Sequence, residues 1–278
     1  MRIRSATEWE EKGANGNVFV AVDELEDKLG GCRVIPRYVG ELIPERPMEY
    51  KISVEGEDAA VRQQLLGTAF SRAMILAGER GLNARVYAEC RPDDKEMLSL
   101  FASIGMIDND ALVEMTRTVV DGSNVEPMPE GCIFVVDDLT SQAERTFFVE
   151  RQERLFGREN ADEWVDTLLR RRGMRRFLLA NREGLVSEVV CWLGKGKQGV
   201  IEEVYTAPAW RRKGAAAFLM EEARRYFFSC GMSECRLAVR LKMTPMVRTA
   251  AALGYRQTKV LMRLPGSELD APKPRRRR

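Results

Sequence analysis

A cluster of basic and small residues at positions 211–216 has the composition of an anion-binding site. It follows a stretch of strand formers at 201–206 and opens a run of helix formers that continues to about residue 226. The first backbone N–H groups of a helix have no partner within the helix, and the helix dipole favours an anion there. Small side chains let phosphate oxygens approach these N–H groups, and neighbouring cations add positive charge. We therefore predict that a pyrophosphate group binds at Arg211, Arg212, Lys213, Gly214, Ala215 and Ala216.

The chain has 278 residues and contains no histidine. This excludes Ser-His-Asp triads, Cys-His pairs and His-ligated zinc, so general acid–base chemistry must fall to a carboxylate, Tyr, Lys, Cys or water. Its 6 cysteines include no CxxC pair, and the N-terminus has no apolar leader. Reduced thiols and a cytoplasmic location are therefore expected. No stretch is long and apolar enough to span a membrane, so we expect no membrane partner.

The charge of the chain is balanced. The formal net charge is +2, and the last four residues, 275–278, are all arginine, so the rest of the chain is close to neutral. A nucleic-acid-binding face is therefore not expected.

Strand-like and helix-like stretches alternate along the chain, which indicates a mixed α/β fold. A Gly- and Pro-containing stretch separates two halves and reads as a linker. The predicted organisation is a first domain at 1–120, a linker at 121–131, a second domain at 132–265 and a disordered basic tail at 266–278.

One glycine pattern suggests a dinucleotide fingerprint but lacks its context. Gly194, Gly196 and Gly199 satisfy G-x-G-x-x-G. That fingerprint requires a helix directly afterwards, whereas strand formers follow here. We predict a hairpin turn at these glycines.

The two halves share a repeated pattern. Arg62 and Arg211 precede corresponding helices and are 149 residues apart, and Gly105 and Gly254 end corresponding later helices at the same spacing. The order strand, helix, strand, helix, strand occurs in both halves, which indicates an internal duplication.

The segment at 204–216 resembles the acyl-CoA-binding motif of the GNAT N-acetyltransferase superfamily. In that motif a strand ending in apolar-x-apolar-x-Pro is followed by Gln/Arg-x-x-Gly-x-Gly/Ala. Here the strand end reads Val204-x-Thr206-x-Pro208, and the motif reads Arg211-x-x-Gly214-x-Ala216. The resemblance covers about 127–265 nearly completely and mainly 48–120 in the first half. It implies a tandem GNAT protein.

The resemblance implies which residues take part in catalysis. Acetyl-CoA is expected in a V-shaped opening, where strand backbone groups hold the pantetheine, and an amine is expected to attack the thioester directly. The strand residues that correspond are Val204, Tyr205 and Thr206. A carboxylate on this strand often accepts the proton of the amine. Glu202 fits best, because in a regular strand it shares a face with Val204, and Glu203 ranks second.

The chain departs from the family pattern in three places. The position of the usual general acid, a tyrosine, is Ala250, and the usual helix-start asparagine is Met243. At the position that the repeat equates with Gly214, the first half has Leu65. A leucine there would block a phosphate, so the first copy is expected to be degenerate and the second to bind the cofactor.

Three functions remain open at this point. The leading one is an acetyl-CoA-dependent N-acetyltransferase acting on a primary amine, most simply a small molecule. The second is a non-catalytic acyl-CoA-binding or regulatory protein, which the missing tyrosine suggests. The third is an aminoacyl-transfer enzyme that uses a charged tRNA, which the near-neutral body disfavours.

Overall fold

The computed structural model describes residues 1–8, 16–121, 127–158 and 160–271. It contains two mixed sheets with helices against them, so the predicted mixed α/β class is confirmed. The elements of the first half are β1 (Arg2–Ser5), β2 (Val18–Val22), β3 (Lys28–Tyr38), β4 (Met48–Gly56), α1 (Ala59–Arg80), β5 (Ala84–Ala88), α2 (Lys95–Ser103) and β6 (Ala111–Thr118). Those of the second half are β7 (Ile133–Asp137), α3 (Gln142–Phe156), α4 (Ala161–Leu169), β8 (Arg175–Asn181), β9 (Gly184–Leu193), β10 (Gln198–Thr206), α5 (Ala215–Ser229), β11 (Glu234–Arg240), α6 (Thr244–Ala252), β12 (Arg256–Arg263) and β13 (Gly266–Leu269).

The first compact unit comprises Met1–Ala111 and the chain from Met262 onward. Its six strands lie in the order β1-β2-β3-β4-β5-β13, with only β4 and β5 parallel. Helix α1 packs on this sheet through an apolar stripe at helical spacing. The stripe is fully buried and consists of Leu65, Leu66, Ala69 and Ala73.

The second compact unit comprises Leu112–Leu261, and its seven strands lie in the order β12-β6-β11-β10-β9-β8-β7. Helices α3 and α4 cover one face of the sheet, where their apolar side chains cluster with Val190 of β9. Helix α5 covers the other face. Gly199 of β10 permits this packing, because a Cβ there would lie 2.3 Å from the ring of Phe227 in α5.

Each sheet includes a strand from the other half of the sequence. Strand β6 pairs antiparallel with β11 along seven residue pairs, and β13 pairs antiparallel with β5. The compact units therefore differ from the predicted segments 1–120 and 132–265. The prediction that residues 266–269 belong to a disordered tail is wrong, because they form β13. Residues from 272 onward of the predicted tail and residues 122–126 of the predicted linker lie outside the described residues.

The predicted repeat of elements is present. The order strand, helix, strand, helix, strand runs from β4 to β6 and again from β10 to β12. The helix starts do not correspond as predicted, however. Helix α1 begins after its N-cap Asp58, and Leu65 lies in its second turn, whereas α5 begins after Gly214. Asp58, not Leu65, is therefore the structural equivalent of Gly214.

Two further expectations concern single features. The turn between β9 and β10 lies at 194–197, so the prediction of a hairpin at the glycine pattern is confirmed. In the described part of the chain, no helix is long and apolar enough to cross a membrane.

Asp58 provides a stability prediction. Its side chain accepts a hydrogen bond from the N–H of Val61 at 2.8 Å, so Asp58→Ala leaves that N–H without its cap. We expect a loss of about 1 kcal/mol in the unfolding free energy, measured by urea denaturation. The control is Glu57→Ala, an exposed acid one residue earlier whose loss should change the free energy little. Equal effects of the two substitutions would contradict the capping role.

Candidate active site

A wedge opens between two parallel strands at the centre of the second sheet. Strands β10 and β11 pair from Gln198 to Ile201, the last pair being Ile201 with Leu237. Past this pair β10 continues for five residues and remains paired with β9 up to Thr206, while β11 continues to Arg240 against β6. Each strand thus keeps its outer neighbour but no longer pairs with the other. The predicted residues Val204, Tyr205 and Thr206 lie on β10 at this wedge.

The basic loop and the helix start follow directly from the end of β10. Arg211 donates from Nε to the carbonyl oxygen of Thr206 at 3.3 Å, which ties the loop to the last residue of the strand. Arg212 and Lys213 are exposed, and the Lys213 ammonium lies 4.5 Å from the ring centroid of Trp210. Of the six predicted pyrophosphate-binding residues, three are exposed (Arg212, Lys213 and Gly214), Arg211 and Ala216 are half-buried, and Ala215 is buried. All six lie together at one end of α5.

Gly214 gives this helix start its shape. It is the N-cap of α5 with φ +81°, a backbone conformation that favours glycine, and no side chain caps the helix. A Cβ built at Gly214 would meet nothing within 4 Å. Among the described residues no side chain therefore caps the first N–H groups of α5, and position 214 has no side chain of its own that would keep an anion away from them.

The corresponding helix start in the first unit has a different occupant. The carboxylate of Asp58 accepts from the helix N–H of Val61, and Arg62 is engaged with Glu96 and with the carbonyl oxygen of Gly56 at 3.1 Å. A negative charge of the chain itself thus lies where an anion would bind. This supports the expectation that the first copy is degenerate, although the residue responsible is Asp58 and not Leu65.

A β-bulge changes the faces of the two candidate carboxylates. The register of β10 against β9 shifts between Ile201 and Glu203, so Glu202 is an extra residue without a partner opposite it. Glu202 accepts from Nε1 of Trp192 at 3.0 Å, and Trp192 packs on the α3–α4 side. Val204 pairs with Val189 on the opposite face. The expectation that Glu202 shares a face with Val204 is therefore wrong, because it assumed a regular strand.

The bulge also directs Glu203 toward the α3–α4 side. Glu203 pairs with Val190 and is 6% exposed, whereas Glu202 is exposed. Gln152 of α3 donates to Glu203 Oε1 at 2.8 Å, and Arg158 approaches Oε2 at 3.4 Å. Of the two carboxylates, Glu203 is the one held in a fixed, dry environment.

Burial and a neighbouring acid set the acidity of Glu203. Loss of solvent, followed by the negative charge of Glu188, raises its pKa to about 7. The hydrogen bond from Gln152 and the positive charges of Arg158 and Arg151 act in the opposite direction. A carboxyl group with a pKa near neutrality can accept and return a proton under physiological conditions.

A buried ion-pair network surrounds this carboxylate, and sequence reasoning missed it. Glu188 of β9 is fully buried and pairs with Arg151 of α3 and Arg176 of β8. Arg176 also donates to Asp137 of β7 at 2.6 Å. The one available signal was Glu188 itself, a charge within the apolar run from Val186 to Leu193, because a charged residue in a buried strand must have a partner.

The positions of the usual general acid and asparagine hold apolar residues. Ala250 is fully buried in α6, and Met243 is the N-cap of the same helix without a side-chain cap. Neither side chain can donate a proton. Among the described residues there is also no cluster of three or more Cys, Asp or Glu side chains that could hold a metal ion.

Comparisons with known proteins agree with this geometry. The family model described as acetyltransferase (GNAT) family matches residues 136–255, which include the wedge, the basic loop and α5. No curated protein matches the chain.

Solved structures show the same fold at low identity. A GCN5-related N-acetyltransferase from Anabaena variabilis has a TM-score of 0.54 at 9% identity, covering 89% of this chain and 62% of that one. A conserved protein of unknown function from Enterococcus faecalis has a TM-score of 0.52 at 13% identity, covering 89% of this chain and 61% of that one. A tandem GNAT protein from the clavulanic acid biosynthesis pathway has a TM-score of 0.43 at 13% identity, with coverages of 92% and 83%. The family model therefore identifies residues 136–255 as a domain of the acetyltransferase (GNAT) family.

Proposed function

We propose that the protein is an acetyl-CoA-dependent N-acetyltransferase that acts on a primary amine, with its cofactor in the second unit. The observation that carries this proposal is the uncapped, glycine-started helix α5 at the end of a strand that separates from its parallel neighbour. The helix start suits the pyrophosphate of a CoA, and the wedge suits the extended pantetheine. Together they account for both the charged and the linear part of one ligand.

The residues present fit such a cofactor. Gly214 leaves the first N–H groups of α5 accessible, and Arg211, Arg212 and Lys213 supply the positive charge for a pyrophosphate. Val204, Tyr205 and Thr206 lie on the part of β10 that no longer pairs with β11, and we propose that backbone groups of this segment hold the pantetheine amides. Acetyl-CoA, when bound, supplies an acetyl group activated as a thioester.

Glu203 is the residue that we propose to accept the proton of the incoming ammonium. It lies at the bulge where the wedge opens, and its pKa of about 7 suits proton transfer near neutral pH. Glu202 is exposed and is placed second. No tyrosine stands at the usual general-acid position, but a thiol with a pKa of about 8.5 leaves readily without a proton donor.

The substrate is proposed to be a small-molecule primary amine rather than nucleic acid or a membrane component. The near-neutral body of the chain supports this choice, since tRNA binding needs a broad basic surface. A cytoplasmic location is proposed from the cysteines, all six of which are free in the structure. The first copy is proposed not to bind acetyl-CoA, because Asp58 caps its helix.

Steady-state release of free CoA with a panel of primary amines tests the proposal. We expect amine-dependent release with acetyl-CoA and none with desulfo-CoA. The alternative that Ala250 favours, a non-catalytic acyl-CoA-binding protein, predicts tight binding by calorimetry without release for any amine. Absence of both binding and release would overturn the cofactor assignment itself.

Arg158 allows a test of how the charges around Glu203 set the pH dependence of kcat/KM. Its guanidinium lowers the pKa of Glu203, so Arg158→Gln should raise that pKa and move the acidic limb of the kcat/KM profile to higher pH. The control is Arg145→Gln, a partly buried arginine that pairs with Asp166 instead. If the acidic limb of the kcat/KM profile stays in place in Arg158→Gln, or moves equally in the control, then Glu203 does not govern this limb.

A further inference from the structure

Strand β7 is an edge strand with an apolar, exposed surface on both faces. Among the described residues, it is the last strand of the seven-stranded sheet and pairs only with β8. Its four residues before Asp137 are all exposed: Ile133 by 62%, Phe134 by 37%, Val135 by 37% and Val136 by 52%. Successive residues of a strand point to opposite faces, so apolar side chains are partly exposed on both faces of β7, although Phe134 packs on Phe177 and Phe218.

The other edge strands of the two sheets carry charges at their borders. Strand β1, the corresponding first strand of the other sheet, contains Arg2 and Arg4. Strand β12 contains Arg256, Lys259 and Arg263, and β13 contains Glu268. Charged side chains on edge strands prevent pairing with other chains. Only β7, among the four edges, lacks this protection.

The single charge of β7 does not provide it either. Asp137 is directed into its own sheet, where it accepts from Arg176 at 2.6 Å and from the N–H of Leu139 at 2.8 Å. It is therefore already neutralised within the subunit. The free edge offers backbone groups flanked by apolar side chains, which match another apolar strand and not a charged peptide.

The sequence of β7 is suited to pair with itself. In an antiparallel pair centred on Val135, each Phe134 faces Val136 of the second copy, and apolar side chains meet on both faces. Each Asp137 falls opposite Ile133, so the two acids lie at opposite ends of the pair, about 13 Å apart at 3.3 Å per residue. No like charges face each other across the contact.

A groove beside the strand extends the same surface. It has a volume of about 440 Å³ and lies between β7, β8 and α5, where Phe134 stacks on Phe177 at 6.0 Å. Half of its lining is apolar or aromatic (Phe134, Val136, Phe177 and Tyr226), and the other half is polar (Arg175, Ser229 and the paired Glu222 and Arg225). Self-pairing of β7 places the apolar halves of the two grooves beside each other across a twofold axis.

We propose that two copies of this chain associate through antiparallel pairing of β7, which makes one continuous sheet from the two seven-stranded sheets. The interface is isologous and leaves the wedge between β10 and β11 of each copy at a distance of three strands. It is independent of the proposed acetyl transfer, because none of its residues belongs to the cofactor site.

Sedimentation velocity of the full chain at tens of micromolar tests the proposal. We expect a species of twice the 31.6 kDa chain mass for the wild type, and a single chain for Val135→Lys, which introduces a charge at the centre of the pair. The matched control is Leu25→Lys, which changes an 81% exposed leucine between β2 and β3 and should leave the dimer intact. Circular dichroism confirms that the variants fold.

Hydrogen exchange supplies a second readout. The amides of Ile133 to Val136 should be protected in the wild type and exchange faster in Val135→Lys, with the rest of the sheet unchanged. A monomeric wild type overturns the proposal, whether its β7 amides are exposed or are protected by another segment of the same chain. So does a dimer that survives Val135→Lys or is lost in Leu25→Lys.

Discussion

Gly214→Asp is expected to weaken acetyl-CoA binding by about 100-fold or more. The substitution places a carboxylate where the pyrophosphate would lie, and it removes two or more charge-assisted hydrogen bonds that together are worth about 3 kcal/mol or more. In the first unit the carboxylate of Asp58 already lies at the start of α1, but from an extended backbone at φ −130°, whereas Gly214 has φ +81°. Gly214→Asp therefore adds backbone strain as well as a negative charge, and the strain is shared by the control variant below.

The measurement is isothermal titration with acetyl-CoA, and the wild type should bind with a stoichiometry of one. Gly214→Ala is the matched control, because a Cβ there meets nothing within 4 Å and adds no charge. It should retain most of the affinity at the cost of some backbone strain at φ +81°. Gln63→Asp, on the exposed face of the first turn of α1, should have no effect. A stoichiometry of two, or retained binding in Gly214→Asp, would show that our assignment of the cofactor to the second unit alone is wrong.

Glu203→Gln is expected to lower kcat/KM by about 100-fold or more, which is the lower end of what a positioned general base contributes. The amide keeps the size of the side chain but cannot accept a proton. In the wild type, kcat/KM should rise with pH up to about 7 and then level off, because only the ionised carboxylate is active and its pKa is about 7. This limb should disappear in Glu203→Gln, while binding of acetyl-CoA remains.

Glu202→Gln is the control for this prediction, since Glu202 is exposed and one residue away. It should change kcat/KM little and leave the limb in place. If Glu202→Gln abolishes the limb and Glu203→Gln does not, the assignment of the two carboxylates is reversed. If neither does, the proton passes directly to solvent.

The same carboxyl group links pH to stability. Its pKa in the folded state, about 7, lies above its ordinary value of 4.5. The unfolded chain therefore releases this proton at lower pH than the folded chain, and the contribution of Glu203 to stability falls as pH rises from about 4.5 to about 7. Glu203→Gln removes this dependence, which urea denaturation at both ends of the range can measure.

Features encoded by local sequence were predicted well. The helix that the basic stretch was predicted to open begins after Gly214, whose positive φ favours glycine. A helix start depends on backbone preferences and on hydrogen bonds within a few residues, so the sequence alone contains the information. The hairpin at 194–197 is of the same kind.

Features that depend on pairing between distant residues were not predicted. The faces of Glu202 and Glu203 follow from one extra residue relative to β9, and no local pattern reveals such a shift. The predicted equivalence of Leu65 and Gly214 is wrong because, relative to the repeat, α1 begins earlier than α5. A fixed offset between arginines and glycines cannot show where each helix begins. The network of Glu188, Arg151 and Arg176 joins three elements and becomes visible only in the folded sheet.

The exchange of β6 and β13 has a consequence for biosynthesis. The first sheet is completed only by β13, which follows every other described strand along the chain. A ribosome must therefore synthesise all of these strands before this sheet can close, and the edge of β5 remains open until β13 has been made. If the gene were divided at the predicted linker, the first product would lack β13, and the second would lack β6, which pairs with β11. We therefore expect neither product to fold as stably as it does within the whole chain, so a dissection into separate domains should keep β13 with the first sheet and β6 with the second.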